Sequence, residues 1–359
     1  MPEPVYTKQE QEPASEEVTE VAPGVLRMQL PISMPGLGHV NTYALEDERG
    51  FALVDPGLPG PESWEALMQR LKSAGIPLAR VHTTIVTHSH PDHFGGADQL
   101  AEEAGAEVLT HESFRSLLTD TNDDLDMDLL DADEEELIEL WKRRFASFEA
   151  TPWGTTREPP PDEAIRRWIV MGEGGHKRFR GPEPTIRVTD NEAVRLAGRD
   201  WFAVHTPGHT TDHLCLFDPE EGVLLAGDHV LPTITPHIAG STDVADPLAT
   251  FFASLEKVAA LEGLTCALPA HGHPFADLAG RCSHIREHHD DRLQLLRDAS
   301  AGHPDAPVEA WMKVLFKERS WGEMAASETY AHLEHLRVIG EAQARRDDDG
   351  LLRFSLAAT

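Results

Sequence analysis

The sequence predicts an α/β (α+β) fold in which two β-sheets lie face to face beneath outer helices, a four-layered αββα sandwich. Two observations carry that reading. Strand-like and helical segments alternate in two blocks, one before about residue 112 and one after about residue 185. Histidine and aspartate residues recur at the turns that end these strands.

In the first block, Val25 to Leu30, Asn41 to Leu45 and Phe51 to Val54 read as short strands, the last two joined by a charged turn. Ser63 to Ala74 has helical spacing of Trp64, Leu67 and Leu71, and Val81 to Thr87 is β-branched and apolar. The second block repeats the style. Trp201 to His205, Leu214 to Asp218 and Val223 to Ala226 read as strands, followed by a helix from about Pro247 to Leu261 and a strand at Thr265 to Leu268. Residues 1–21 are rich in Glu, Gln and Pro with few apolar anchors and are expected to form a disordered tail. The catalytic unit is expected over 22–300, with a helical insertion at about 112–185 in which Leu137, Ile138, Trp141, Phe145 and Phe148 share a face. A second insertion helix is expected from Glu163 to Met171. The acidic run from Asp120 to Glu136 reads as a solvated loop and helix start. Residues 301–359 read as two amphipathic helices, Val308 to Phe316 and Ser327 to Ile339, and a hairpin from Glu341 to Phe354, a winged-helix-like unit.

Composition narrows the function. With 31 basic and 62 acidic residues the net charge is −31, which repels phosphate backbones and anionic membranes, so nucleic acid is disfavoured as a partner and a small-molecule substrate is expected. The excess of acid over base in the tail favours packing or dimerisation there, and a homodimer is compatible with it. Cys215, Cys266 and Cys282 form no metal-binding pair and read as reduced thiols. Neither a membrane span nor a secretory signal is found, and the expected location is cytoplasmic.

The run Thr87-His88-Ser89-His90-Pro91-Asp92-His93-Phe94-Gly95-Gly96 places four metal-ligand side chains within six residues after a strand. Imidazole and carboxylate suit a catalytic zinc that must keep an open position. His88 and His90 alternate on extended backbone and face one side, whereas Asp92 and His93 fall where the chain turns into a helix. That spacing points to two adjacent ions. Three later turns complete them: His209 joins His88 and His90, His271 joins Asp92 and His93, and Asp228 bridges both ions.

This set resembles that of metallo-β-lactamase-fold hydrolases, with Asp55 of Val-Asp-Pro-Gly as a further match. Gly38-His39-Val40-Asn41, Gly227-Asp228-His229-Val230-Leu231-Pro232, the insertion and the tail are similar to the group containing the β-lactamase-like endoribonuclease of mitochondria and its bacterial relatives, and to glyoxalase II-like enzymes. The resemblance implies two Zn2+ ions with a bridging hydroxide and Asp55 beside the ligands rather than among them. Iron or manganese also suits such a site. Asp228 tells against antibiotic hydrolysis, and His90, where oxygen-reducing relatives carry Glu, tells against a diiron site.

The expected activity is therefore hydrolysis of an ester-like bond, thioester or lactone foremost, with Asp92 or Asp228 orienting the attacking hydroxide or accepting its proton. A metal-dependent endoribonuclease or phosphodiesterase is the alternative enzyme, and a non-enzymatic binding protein on the same fold is the third reading. His213, His229 and His237 are candidates to assist the leaving group or, with His205, to hydrogen-bond the ligands. His111 and His176 read as surface or lid packing. Trp141, Phe145, Trp153 and Trp168 of the insertion are expected to cover the site as an apolar wall.

Overall fold

Burial on both faces of most strands dictates stacked sheets covered by helices. The structure, a computed structural model, describes residues 8–34, 36–115, 133–147, 150–171, 181–240 and 242–357. The first sheet runs in chain order through β1 (Thr19–Ala22), β2 (Val25–Met34), β3 (Leu37–Asp47), β4 (Gly50–Val54), β5 (Val81–Ile85), β6 (Glu107–His111) and β7 (Ile186–Val188). Its β1 to β4 ladders are antiparallel, with Val25 opposite Leu45, and those from β4 to β7 are parallel. The second sheet contains β8 (Ala193–Leu196), β9 (Arg199–His205), β10 (Leu214–Asp218), β11 (Val223–Gly227) and β12 (Cys266–Pro269), in the order β12-β11-β10-β9-β8.

Between the sheets, Val25, Tyr43, Leu45, Val54, Ile85 and Leu109 meet Trp201, Leu214, Leu216, Leu225 and Leu268 in one buried cluster. The helix Pro61–Ser73 covers the outer face of the first sheet, setting Leu67 and Leu71 on Met28, Leu30, Val40 and Leu53. On the other side, Pro247–Ala259 and Leu278–Asp298 cover the second sheet with Phe251, Leu255, Ile285 and Leu293. The four layers expected from the sequence are therefore present. Because the sheets present the ends of β4, β5, β9, β11 and β12 to one edge, the turns that follow these strands converge there.

Residues 8–21 correct the expectation of a disordered tail. Buried Glu10 accepts hydrogen bonds from the backbone N–H groups of Thr233 (2.7 Å) and Ile234 (3.1 Å), and the Glu12 carbonyl accepts one from His39 Nδ1 (2.7 Å). Polar bonding rather than apolar burial fixes this segment, so its composition concealed it. Gly38 makes the close approach feasible: a Cβ there would lie 2.3 Å from the Glu12 carbonyl oxygen.

Residues beyond 303 form β13 (Ala306–Pro307), helices Val308–Leu315 and Glu323–Val338, and the hairpin of β14 (Ala342–Arg346) and β15 (Leu352–Leu356), in the sheet order β13-β15-β14. Trp311, Leu333, Leu336 and Phe354 belong to the same buried cluster as Phe251 and Ile285, so this unit shares a core with the second sheet's helices. Trp153 is part of that cluster as well. Its ring packs against Tyr330 at 5.6 Å and its carbonyl accepts from the Leu352 N–H at 2.8 Å, which makes it a core anchor rather than a wall of the site. Of the other insertion residues, Trp141 lies on the helix Glu134–Ser147 with its ring 6.2 Å from Phe145. The side chain of Trp168, Phe148, His176 and most of the acidic run 120–136 lie outside the described residues. No described helix is long and apolar enough to cross a membrane.

Candidate metal centre

The turn after β5 and the short helix Pro91–Phe94 carry His88, His90, Asp92 and His93; the turns after β9, β11 and β12 add His209, Asp228 and His271. Two groups of ligand atoms result, each contained within 4.8 Å: His88, His90, His209 and Asp228 in one, Asp92, His93 and His271 in the other. In the first, His90 Nδ1 lies 2.9 Å from His88 Nε2 and 3.0 Å from His209 Nε2. In the second, Asp92 Oδ2 lies 3.5 Å from His93 Nε2 and 3.4 Å from His271 Nε2. Asp228 spans both, with Oδ2 at 3.6 Å from His209 Nε2 and from His93 Nε2, and Oδ1 at 3.3 Å from His271 Nε2.

These separations fit cations. Ligand atoms about 2.0–2.1 Å from a tetrahedral zinc lie roughly 3.3 Å from each other. Among the described residues, His93 Nε2, His271 Nε2 and Asp228 Oδ1 are buried with no hydrogen-bond partner, a costly arrangement unless an ion takes them up. The opposite nitrogens are engaged: His209 Nδ1 donates to the His237 carbonyl (2.7 Å), His271 Nδ1 to the His39 carbonyl (2.6 Å), and His93 Nδ1 to Asp55 Oδ2 (2.9 Å). A proton on each Nδ1 leaves Nε2 bare, the tautomer a metal ligand needs.

The two groups differ electrically. Burial and mutual repulsion push His90 down to about 3 and lower His88 and His209, so these imidazoles are neutral. In the other group burial alone would also lower the histidines, but the Asp228 and Asp92 carboxylates outweigh it, pushing His271 up to about 10 and His93 well above its ordinary value. Burial acts against the two carboxylates as well, yet His93 and His271 hold both well below the usual range. The carboxylates thus favour a positive charge at His93 and His271, and a dication held there would compete with the protons of these imidazoles.

The surrounding side chains hold this geometry. Asp55, in the left-handed region at φ 53°, accepts from the Thr87 N–H (2.9 Å) and Thr87 Oγ1 (2.8 Å) as well as from His93. Asn41 Nδ2 donates to the carbonyls of Pro269 (2.8 Å) and Gly272 (2.9 Å), and the Tyr43 hydroxyl also donates to Pro269 (2.7 Å), fixing the turn that bears His271. His39 accepts from the Gly272 N–H at Nε2 (3.0 Å). His213 accepts from the Asp228 N–H at Nε2 (3.0 Å) and donates from Nδ1 to Thr206 Oγ1 (2.8 Å). That contact requires Gly227, at φ 50°, where a Cβ would lie 2.6 Å from His213 Nε2. Buried His229 lies against Phe251 at 5.3 Å, and burial pushes it down to about 3. His237 offers its backbone carbonyl to His209 while its ring faces Glu328 (3.4 Å). His205 and His111 stack on each other at 3.7 Å, and His205 Nε2 donates to the Thr211 carbonyl (2.9 Å).

His39, Asn41, Tyr43, Thr87 and Glu328 as supports were not assigned from the sequence. Only the Gly-His-Val-Asn motif hinted at two of them; Tyr43 acts through its hydroxyl on a backbone carbonyl, Thr87 through its N–H and hydroxyl on Asp55, and Glu328 through the ring of His237, contacts that leave no spacing pattern in the sequence.

The sequence profile of the metallo-beta-lactamase superfamily matches residues 35–271. A crystal structure of a beta-lactamase domain protein from Burkholderia ambifaria superposes with a TM-score of 0.73 at 26% identity, covering 97% of this chain and 96% of that one. Two curated relatives carry activities in their names. Hydroxyacylglutathione hydrolase of Albidiferax ferrireducens is 26% identical over 71% of both chains, and atrochrysone carboxyl ACP thioesterase of Aspergillus fumigatus is 25% identical over 67% of this chain and 39% of its own. With its two sheets, its clustered histidines and aspartates and this match, the chain belongs to the metallo-beta-lactamase superfamily and is a metal-dependent hydrolase.

Proposed function

We propose that this chain is a dinuclear zinc hydrolase that cleaves ester-like bonds of small molecules, thioesters and lactones foremost. The observation that carries this reading is Asp228, whose two oxygens face histidines of both ligand groups. Zinc bound there supplies Lewis acidity and lowers the pKa of water toward neutrality. His88, His90 and His209 would hold one ion, Asp92, His93 and His271 the other, with Asp228 facing both. Asp92 and Asp228, ionised throughout the neutral range, accept a hydrogen bond from the attacking water and orient it.

The candidate acids point to the substrate class. Both nitrogens of His213 are engaged, and His229, pushed down to about 3 by burial, is a neutral imidazole without an acidic second proton at neutral pH. Neither is placed to protonate a poor leaving group. A thiolate, or an alkoxide that stays tethered as in a lactone, needs little protonation. The thioesterase and hydroxyacylglutathione hydrolase among the relatives are consistent with this chemistry. We assign Trp141 and Phe145, neighbours on the helix Glu134–Ser147, to the acyl chain as an apolar wall.

The test is metal analysis followed by a panel of thioesters, lactones, phosphodiesters and single-stranded RNA. About two zinc ions per chain and turnover of thioesters or lactones above the phosphodiesters are expected. Fewer than about one ion after zinc loading, or faster cleavage of phosphodiesters, overturns the reading.

A further inference from the structure

Among the described residues from His229 to Asp246 there is no helix or strand, yet the His237 carbonyl sets the tautomer of His209. A loop of that length needs anchors if a carbonyl within it is to hold an angle. Its first part has them: Arg281 donates to the carbonyls of Leu231 and Ile234, both at 2.6 Å, and Glu10 binds the Thr233 and Ile234 N–H groups. Around His237 the anchors come from the helix Glu323–Val338 instead. Glu328 Oε2 faces His237 Nδ1 at 3.4 Å, and Ser327 Oγ accepts from the Gly240 N–H at 2.9 Å. A Cβ at Gly240 would lie 2.5 Å from the Ser327 carbonyl oxygen, so helix and loop are in backbone contact.

Glu328 is itself fixed. Its Oε1 pairs with Arg292 of the helix Leu278–Asp298, and its backbone carbonyl accepts from His332 Nδ1 at 2.7 Å. His332 Nε2 then accepts from His289 Nδ1 at 3.1 Å. The His289, Glu328 and His332 cluster has metal-ligand chemistry, but the Arg292 guanidinium occupies the carboxylate and His289 Nδ1 and His332 Nε2 bond each other, which leaves His289 Nε2 as its one nitrogen without a hydrogen-bond partner among the described residues.

We propose that Glu328 is a positioning residue for the metal centre: through the His237 ring it holds the loop whose carbonyl orients His209, which joins the C-terminal unit to the ligand set. This rests on the reading of His209 as a ligand.

The test uses the full-length chain and measures zinc affinity by competition with a chromogenic chelator, alongside kcat and KM on a thioester. Glu328→Ala is expected to weaken one of the two ions by about 3- to 10-fold, below the 10- to 100-fold typical of a residue bonded directly to a ligand. The other ion is expected to bind as before. Glu328→Gln keeps an acceptor for His237 and restores most of the affinity. Leu336→Ala, a cavity in the same helix away from the loop, lowers Tm without moving either affinity. Unchanged zinc binding in Glu328→Ala, or equal weakening in Leu336→Ala, overturns the proposal. Failure of the unaltered chain to bind two ions overturns the dinuclear reading instead.

Discussion

Asp55→Asn isolates the link between a buried carboxylate and the ligand it orients. Asparagine tolerates the left-handed backbone that Asp55 adopts and has the same shape, so neither strain nor a cavity confuses the result. What changes is the hydrogen-bond balance. Asp55 accepts from three donors, the Thr87 N–H, the Thr87 hydroxyl and His93 Nδ1. An amide offers one oxygen and one NH2, so one oxygen position now presents a donor. If the oxygen stays with the Thr87 N–H, the NH2 faces His93 Nδ1 and drives its proton to Nε2, the atom that points at Asp92 and Asp228. The loss is one hydrogen bond to a charged group, about 1.5–3 kcal/mol. In binding this is roughly 10- to 100-fold. Chelator competition on the full chain should show that loss for the ion held by Asp92, His93 and His271, with the other ion little affected. A folded Asp55→Asn chain that binds both ions as tightly as the unaltered one would refute the tautomer argument.

Other consequences are open to measurement. His213→Phe leaves the buried Asp228 N–H without its acceptor and removes the Nδ1 donor to the Thr206 hydroxyl, which should cost about 1–3 kcal/mol in stability; an intact alkaline limb of the pH–rate profile would separate this role from that of a leaving-group acid. Burial pushes His332 down to about 4 and His289 to about 2, so from pH 6.5 down to 4 the unfolded chain binds more protons than the folded one. Stability should be full above pH 6.5 and fall by on the order of 3 kcal/mol from His332 alone as pH drops to 4. A Tm slope over that window identical in His332→Gln would contradict this. Zinc at about 100 times its Kd should stabilise by roughly 2.7 kcal/mol, visible as a Tm drop on chelation. Trp141→Ala should alter KM across acyl chain lengths, and unchanged kinetics over the panel would remove the apolar wall.

The seven candidate ligands could be picked out because each is a histidine or aspartate at a turn that follows an apolar strand, and the structure brings them into two groups. What orients them was hidden for the opposite reason. The partners of His209 and His271 are the carbonyls of His237 and His39, and any residue supplies a carbonyl. The helix Leu278–Asp298 escaped notice because buried His289 interrupts the apolar stripe of Leu278, Cys282, Ile285, Leu293 and Leu296, and the run His288-His289-Asp290-Asp291 reads as surface. β6, β7 and β8 were missed as well; they are short, and β7 and β8 follow the insertion, where the alternation of elements is broken. Trp153 was misplaced because its spacing shows an apolar residue but not which of two neighbouring units buries it.

One support of each ligand group is itself braced from a different end of the chain. Glu12 bonds the imidazole of His39, whose own carbonyl holds His271, and Glu328 faces the ring of His237, whose carbonyl holds His209. All seven ligand side chains fall inside residues 35–271, and both glutamates fall outside. The shared segment thus carries the candidate ligands and most of what orients them, Asp55, Asn41, Tyr43, Thr87 and His213 included, while the two flanks brace His39 and His237 from outside it. Two superfamily members with the same ligands but different flanks would then differ in metal affinity and in metal choice.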